Sequence, residues 1–123
     1  MEVNEVRVGN KVDLYGSIAT ICESDYSTGL AIIEGKPILL TKEWLVDFGF
    51  SVDRYESVYK YKKIEWLSIY KNGFFLQKPA EDNYWSTFLA TDTDTAEKVG
   101  YIKYVHELQN LYFALMDIEL KLK

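Results

Sequence analysis

Short apolar runs alternate with glycine-containing polar breaks along the first forty residues. Gly9, Gly16 and Gly35 lie in these breaks. Short runs separated by tight turns are typical of consecutive antiparallel strands. The pattern predicts an antiparallel meander or a small, partly open barrel. Its predicted strands lie at residues 6–8, 11–15, 17–22, 30–33 and 37–40.

A helical spacing begins at residue 42. The side chains that share its apolar face are Trp44, Leu45 and Phe48. Thr41 is a residue type that caps helix N-termini, and Gly49 is a residue type that ends helices. The pattern therefore predicts a short helix over residues 42–48, with Phe50 folding back onto the apolar face.

The strand pattern returns after this helix and contains one strong turn signal. Asn72-Gly73 separates two apolar runs, at residues 64–70 and 74–77. Asn-Gly between apolar runs is the strongest local signal for a β-hairpin. Residues 83–90 are rich in side chains that favour strands, so a third strand is predicted to continue the meander.

The longest helical pattern lies near the C-terminus, after a polar link over residues 91–98. Its apolar residues recur at spacings of three and four, which predicts an amphipathic helix; they are Ile102, Val105, Leu108, Leu111, Tyr112 and Leu115. The side chains expected toward its wetter side are His106, Glu107, Gln109 and Asn110. Residues 118–123 alternate strictly between apolar and polar, which predicts an edge strand.

These elements predict an α+β fold in a single domain over residues 1–123. The expected architecture is a mainly antiparallel β meander, or a small partly open barrel, with one short helix and one longer C-terminal helix packed on the sheet. A length of 123 residues suits one hydrophobic core. An apolar content of 48 %, with only two prolines, excludes disordered and collagen-like classes.

Charge and cysteine content narrow the function classes. The formal net charge of −5 disfavours binding to the phosphate backbone of nucleic acids. The single cysteine, Cys22, cannot form an internal disulfide, and its apolar neighbours predict a small buried side chain in a reducing cytoplasm. The apolar runs are far shorter than the roughly 20 residues that span a bilayer. We therefore expect a cytoplasmic protein without a membrane partner.

No residue pattern points to a familiar type of catalysis. His106 is the only histidine, and no Asp or Glu lies three or four positions from it along the helix. One His and one Cys cannot form a usual zinc site, and the glycines are too scattered for a phosphate-binding loop. We predict no catalytic residue, no metal and no cofactor. The remaining enzymatic alternative pairs His106 with a distant carboxylate.

The main compositional oddity is the density of aromatic residues. They make up 15 % of the chain, and seven of them lie between Tyr55 and Phe75. Such residues favour a twisted sheet packed on a helix, and they are also enriched at binding surfaces. The binding residues predicted from this segment are Tyr59, Tyr61, Trp66 and Tyr70.

Surface recognition is the function class that these exclusions leave. The first hypothesis is a non-catalytic protein that binds a protein partner or forms a homo-oligomer through aromatic anchors. The alternative is a small-ligand binder, for instance a nucleotide-sequestering protein whose aromatic pocket stacks on the base. A broad exposed aromatic patch favours the first, whereas a concave pocket with convergent polar groups favours the second.

Residues 37–50 fit the form P-[IL]-x-L-T-x-E-x-L-x-x-x-G-F, and residues 104–115 read YVHELQNLYFAL. These two segments resemble a family of small uncharacterised proteins from Bacteroidetes phages, prophages and gut bacteria. Residues 6–12, which read VRVGNKV, are a third segment that resembles this family, and the three segments follow the family's order along the chain. This family often continues with Thr-Gly-Glu-Glu-Leu where residues 116–120 here read MDIEL, so the turn at that position departs from its pattern.

The resemblance implies an origin and carries no catalytic residue across. It implies an accessory role in a phage or mobile element, in which the protein modulates a host defence or replication factor. The polar residues of its last helix, His106, Gln109 and Asn110, are predicted to belong to the binding surface. The structural alternative is that His106 and Asn110 cap or bridge to a neighbouring loop.

Overall fold

The computed structural model describes residues 6–22, 35–59, 62–79, 82–91 and 95–122, and for residues 54–59 and 62–65 it describes the backbone. The chain forms two compact units. The first comprises Met1–Leu40 with Tyr104–Leu120, and the second comprises Thr41–Lys103 with Lys121–Lys123. The single domain predicted over residues 1–123 stays a prediction.

In the part of the first unit that the structure describes, β1 (Lys11–Leu14) and β2 (Ser17–Thr20) form an antiparallel hairpin. The core below it contains three buried side chains, from Val6, Val12 and Ile21. Residues 6–8 are not a strand, and residues 37–40 contribute only one isolated bridge, between Leu39 and Tyr104. The strand predicted over residues 30–33 lies outside the described residues.

The C-terminal helix of this unit, α2 (Val105–Met116), starts later than the apolar spacing predicts. The backbone N–H of Tyr104 donates to Glu107 Oε1 at 3.0 Å, which fixes the first turn. The helix ends at Asp117, whose φ of 55° lies in the left-handed region. Its buried side chains are Val105, His106, Leu108, Gln109 and Tyr112.

The second unit is an open five-stranded antiparallel sheet whose strands follow each other in chain order. Its strands are β3 (Ser51–Tyr59), β4 (Lys62–Lys71), β5 (Phe74–Pro79), β6 (Trp85–Ala90) and β7 (Ala96–Ile102). Each strand pairs with the next, so the unit is a meander and not a barrel.

A short helix, α1 (Lys42–Asp47), precedes this sheet. Gly49 ends it with a φ of +91°, and the N–H groups of Gly49 and Phe50 donate to the carbonyls of Val46 and Leu45 at 2.9 and 3.0 Å. This is the Schellman arrangement, in which a left-handed glycine satisfies the last free carbonyls. Lys71 Nζ donates to the Phe48 carbonyl at 2.8 Å and places a positive charge at the helix C-terminus.

The two faces of the sheet differ in burial. The inner face consists of side chains that are at most 8 % exposed, from Leu67, Ile69, Phe74, Leu76, Trp85, Thr87 and Ile102. Phe50 packs edge-on against Phe74 of this face, with ring centroids 6.3 Å apart. The outer face has the alternate residues of the same strands, which are partly or largely exposed.

The α+β fold with an antiparallel meander, a short helix and a longer C-terminal helix is confirmed. The polar link predicted over residues 91–98 is wrong, because Ala96–Ile102 form a strand. Residues 118–122 form no strand. Cys22 is exposed and not buried, because Ile21 takes the inward position after β2.

Candidate binding surface

An aromatic row crosses the outer face of the sheet. Tyr70, Phe75 and Phe88 are direct cross-strand partners on β4, β5 and β6. The Tyr70 and Phe75 ring centroids lie 6.1 Å apart, within the range of aromatic pairs. Tyr70 is 40 % exposed, and Phe75 and Phe88 are partly exposed. These three residues therefore form a row of partly exposed apolar side chains across three adjacent strands.

The edge strand β7 extends this row with a cation. Lys98 pairs with Phe88, and an irregularity in the register follows at Val99. Such a bulge shifts the alternation by one residue, so Lys98 and Tyr101 share the outer face. The Lys98 ammonium donates to the Tyr101 hydroxyl and lies 3.9 Å from its ring centroid.

A second lysine and tyrosine pair lies at the other end of the same edge. The Lys103 ammonium lies 5.2 Å from the ring centroid of Tyr84. Tyr84 and Tyr101 are 58 % and 62 % exposed. The edge of an otherwise acidic chain thus presents exposed tyrosines next to two positive charges.

The structure brings two of the four sheet residues predicted to bind onto the outer face. Trp66 and Tyr70 lie four positions apart on β4, and Trp66 is partly buried opposite Pro79. Tyr59 lies in β3 opposite Lys62, and its side chain is outside the described residues. Tyr61 is outside them as well.

The polar residues of α2 do not form the exposed face that the sequence predicts. His106 and Gln109 are 4 % and 1 % exposed. Both polar atoms of the buried Gln109 amide are hydrogen-bonded: Nε2 donates to the Gly9 carbonyl at 3.0 Å, and Oε1 accepts from the Lys11 N–H at 2.8 Å. Its role is to hold β1 and the loop before it against the helix.

Asn110 bridges to the same loop, as the structural alternative predicts. Its Oδ1 accepts from Asn10 Nδ2 at 2.8 Å, and Asn10 Oδ1 accepts from the Arg7 N–H at 2.8 Å. Arg7 also pairs with Glu119 at 2.8 Å and donates to the Gln109 carbonyl at 2.9 Å. Asn10, Asn110 and Gln109 are therefore structural contacts within the first unit.

A cavity of about 240 Å³ lies at the start of α2, lined by Pro37, Tyr104, His106 and Glu107. The rings of Tyr104 and His106 lie nearly parallel, at 10°, with centroids 6.0 Å apart. Glu107 already accepts a hydrogen bond from the Tyr104 backbone. Among the described residues, no Ser, Thr or Cys side chain lines this cavity.

Among the described residues of the second unit, two charged groups have shifted pKa values. Hydrogen bonds from its own backbone N–H and from the Thr41 side chain lower the pKa of Glu43. Burial lowers the pKa of Lys78, whose ammonium donates to the Asp82 carbonyl at 2.8 Å and lies 5.0 Å from the Trp85 ring centroid. Neither group belongs to the aromatic row.

Sequence reasoning missed most of the exposed face. The sequence did not predict a binding role for Phe75, Tyr84, Phe88, Lys98 or Tyr101. The available signal was the two-residue alternation of β5 and β6, which places Phe75 and Phe88 opposite the buried side chains.

Comparisons of the chain with protein-family models, with curated proteins and with solved structures gave no significant match. Within the described ranges, no group of three or more His, Cys, Asp or Glu side chains could hold a metal ion. In the same ranges, no helix is both long enough and apolar enough to cross a membrane.

Proposed function

We propose that this protein is a non-catalytic binding protein that docks a protein partner through the aromatic row Tyr70, Phe75 and Phe88. The observation that carries the proposal is the contrast between the two sheet faces. The inner face already supplies a closed core, with Ile69, Phe74 and Leu76 at 0 % exposure. The exposed row is therefore not needed to bury the core, and contiguous exposed apolar surface marks interaction sites.

The row has the chemical character of an interface centre. Aromatic residues are enriched at interfaces because they bury a large area at a small cost in conformational entropy. Three adjacent strands hold these side chains, so little further ordering is required on binding. Lys98 and Lys103 at the edge add positive charge, which would guide an approaching acidic rim on the partner.

The setting of this activity is part of the same proposal. The resemblance of residues 37–50 and 104–115 to Bacteroidetes phage and prophage proteins supports an accessory role there, with a host defence or replication factor as the class of target. The single cysteine supports action in the reducing cytoplasm of the host cell.

The proposal is tested by partner capture with matched variants. The tagged chain is expressed in a Bacteroidetes host, and the captured protein is purified and titrated calorimetrically. We expect Tyr70→Thr with Phe88→Thr to weaken binding about thirtyfold or more, because central aromatic anchors carry most of the binding free energy. Val46→Thr on α1, an exposed residue away from the sheet face, is the control and should bind unchanged. Undiminished binding by the double variant would contradict the proposal.

A second candidate function is favoured by the cavity beside His106. The parallel rings of Tyr104 and His106 could contribute to a site for the base of a nucleotide, as a small-ligand binder would require. This function predicts a nucleotide released when the purified protein is denatured, and no stoichiometric protein partner. It also predicts that Tyr104→Leu removes the nucleotide, whereas the aromatic-row variant retains it.

A further inference from the structure

The chain contains two hairpin turns with the same backbone and different first residues. In the hairpin of β4 and β5, Asn72 and Gly73 have φ values of 53° and 81°. In the hairpin of β1 and β2, Tyr15 and Gly16 have φ values of 53° and 87°. Two central residues with positive φ are the signature of a type I′ turn, which prefers Asn-Gly.

Tyr15 is a poor residue for this turn. A side chain with a Cβ is disfavoured at positive φ because Cβ approaches the following carbonyl oxygen, and Asn is tolerated because its short polar side chain bonds locally. Tyr has no such compensation. The requirements of the turn therefore do not account for Tyr15.

Packing within the chain does not account for it either. Tyr15 is 74 % exposed, and no hydrogen bond or ring contact joins it to another described residue. A methyl group added at Gly16 would meet nothing within 4 Å, so the space around the tip is open. Ile18, the first outward-facing residue of β2, is 61 % exposed. The tip thus presents an exposed aromatic and an exposed aliphatic side chain three positions apart.

The hairpin holds this tip in a fixed position. Asp13 Oδ1 accepts from the Gly16 N–H at 2.8 Å and closes the turn. The backbone of Asp13 exchanges two hydrogen bonds with Lys36, at 2.8 and 2.7 Å. Val12, between the outward residues, is fully buried. A rigid, convex loop with exposed apolar side chains loses little entropy on binding.

We propose that residues 15–18 form a second docking element, which inserts Tyr15 and Ile18 into an apolar pocket on a folded protein partner. A convex two-residue turn requires a concave partner surface. The exposed polar residues around the tip, Ser17 and Lys36, fit the hydrated rim of such an interface. This element rests on the turn geometry and is independent of the aromatic row.

The first experiment locates the partner. A photoreactive benzophenone side chain is placed at position 17 of the full chain in a Bacteroidetes host, and the crosslinked protein is identified and purified. That protein is then titrated against the native chain and against Tyr15→Asn, Ile18→Thr and Val8→Thr. Val8 is an exposed control in the same unit, 46 % exposed and outside the hairpin.

The expected result separates binding from folding. Tyr15→Asn creates the Asn-Gly turn of the other hairpin, so its Tm should rise by about 3–5 °C. Its affinity for the crosslinked protein should fall about thirtyfold or more, and Ile18→Thr should also weaken binding, while Val8→Thr should not.

Several results would overturn the proposal. One is a lowered Tm for Tyr15→Asn, which would make Tyr15 a structural residue. Others are undiminished affinity of this variant, or no crosslinked protein at position 17. A concentration-dependent dimer abolished by Tyr15→Asn would identify a second copy of this chain as the occupant. Binding to phosphatidylcholine vesicles that requires Tyr15 would identify a membrane surface.

Discussion

The hairpin of β1 and β2 and the hairpin of β4 and β5 turn through the same backbone conformation but are stabilised differently. The second has an optimal Asn-Gly turn and an inner face in which Ile69, Phe74 and Leu76 are fully buried. The first has a strained Tyr15 and one fully buried strand residue, Val12. The second hairpin is therefore built for stability, whereas the first gives up stability at a tip that remains available for contact.

The largest expected effect concerns the core below the second hairpin. Phe74→Ala should lower the free energy of unfolding by about 3–5 kcal/mol, because it leaves a cavity in a fully buried site. The matching change in the first hairpin, Ile18→Ala, should stay within about 0.5 kcal/mol, since Ile18 is mostly exposed. Urea denaturation of both variants checks the pair. Equal losses of stability in the two variants would contradict the distinction between the two hairpins.

The next effect concerns the polar support of the first hairpin. Gln109→Ala should lower the free energy of unfolding by about 2–3 kcal/mol, because the Gly9 carbonyl and the Lys11 N–H lose their buried partner. Hydrogen exchange of the β1 and β2 amides should quicken, and that of β4 and β5 should change less. Gln77→Ala, a partly exposed amide on β5, is the control. Unchanged exchange in β1 would contradict the role assigned to Gln109.

A smaller effect is expected from exchanging the turn residues. Tyr15→Asn should raise the free energy of unfolding by about 1 kcal/mol, and Asn72→Tyr should lower it by about 1 kcal/mol or more, because both substitutions act on a residue at positive φ. Thermal denaturation of the two variants measures these values. Changes of the same sign would show that the two turns are not equivalent.

The smallest effect concerns the ion pair of Arg7 and Glu119, whose side chains are 29 % and 33 % exposed. Glu119→Gln should lower the free energy of unfolding by about 0.5 kcal/mol at low ionic strength, because partly exposed ion pairs gain little beyond the entropy lost in ordering the side chains. The difference from the native chain should shrink in 1 M salt, where the Debye length is about 3 Å. A difference that does not depend on salt would indicate a packing role.

The elements predicted correctly are those that local chemistry determines. Asn72-Gly73 sets a hairpin wherever it separates apolar runs, and Gly49 ends α1 through hydrogen bonds within six residues of chain. Both signals lie within a few consecutive residues, so they predict the local structure without knowledge of distant contacts.

The strand β7 was missed because two signals opposed it. Ala96, Glu97 and Lys98 favour helices by intrinsic propensity. The irregularity at Val99 also breaks the alternation that marks a strand, since Lys98 and Tyr101 share one face although they lie three positions apart. Pairing with β6 overrides both signals. Residues 118–122 show the reverse case: their alternation predicts a strand, but they form none because no described strand pairs with them.

The burial of Gln109 could not be predicted from the sequence. Its partners lie 100 and 98 positions away along the chain. They are backbone groups, which leave no signature in the side-chain pattern. A polar residue on a helix is expected to face water unless such partners are known. The two-residue alternation of β5 and β6 separates Phe75 and Phe88 from their neighbours, but it does not say which of the two faces is buried.

Docking of a protein partner can be mapped directly by nuclear magnetic resonance of the isotope-labelled chain, titrated with its captured protein partner. We expect the shift changes to concentrate at Tyr15 and Ile18 of the first hairpin and at Tyr70, Phe75 and Phe88 of the aromatic row. Changes confined to the cavity residues Tyr104, His106 and Glu107 would contradict the account and favour a small-ligand site.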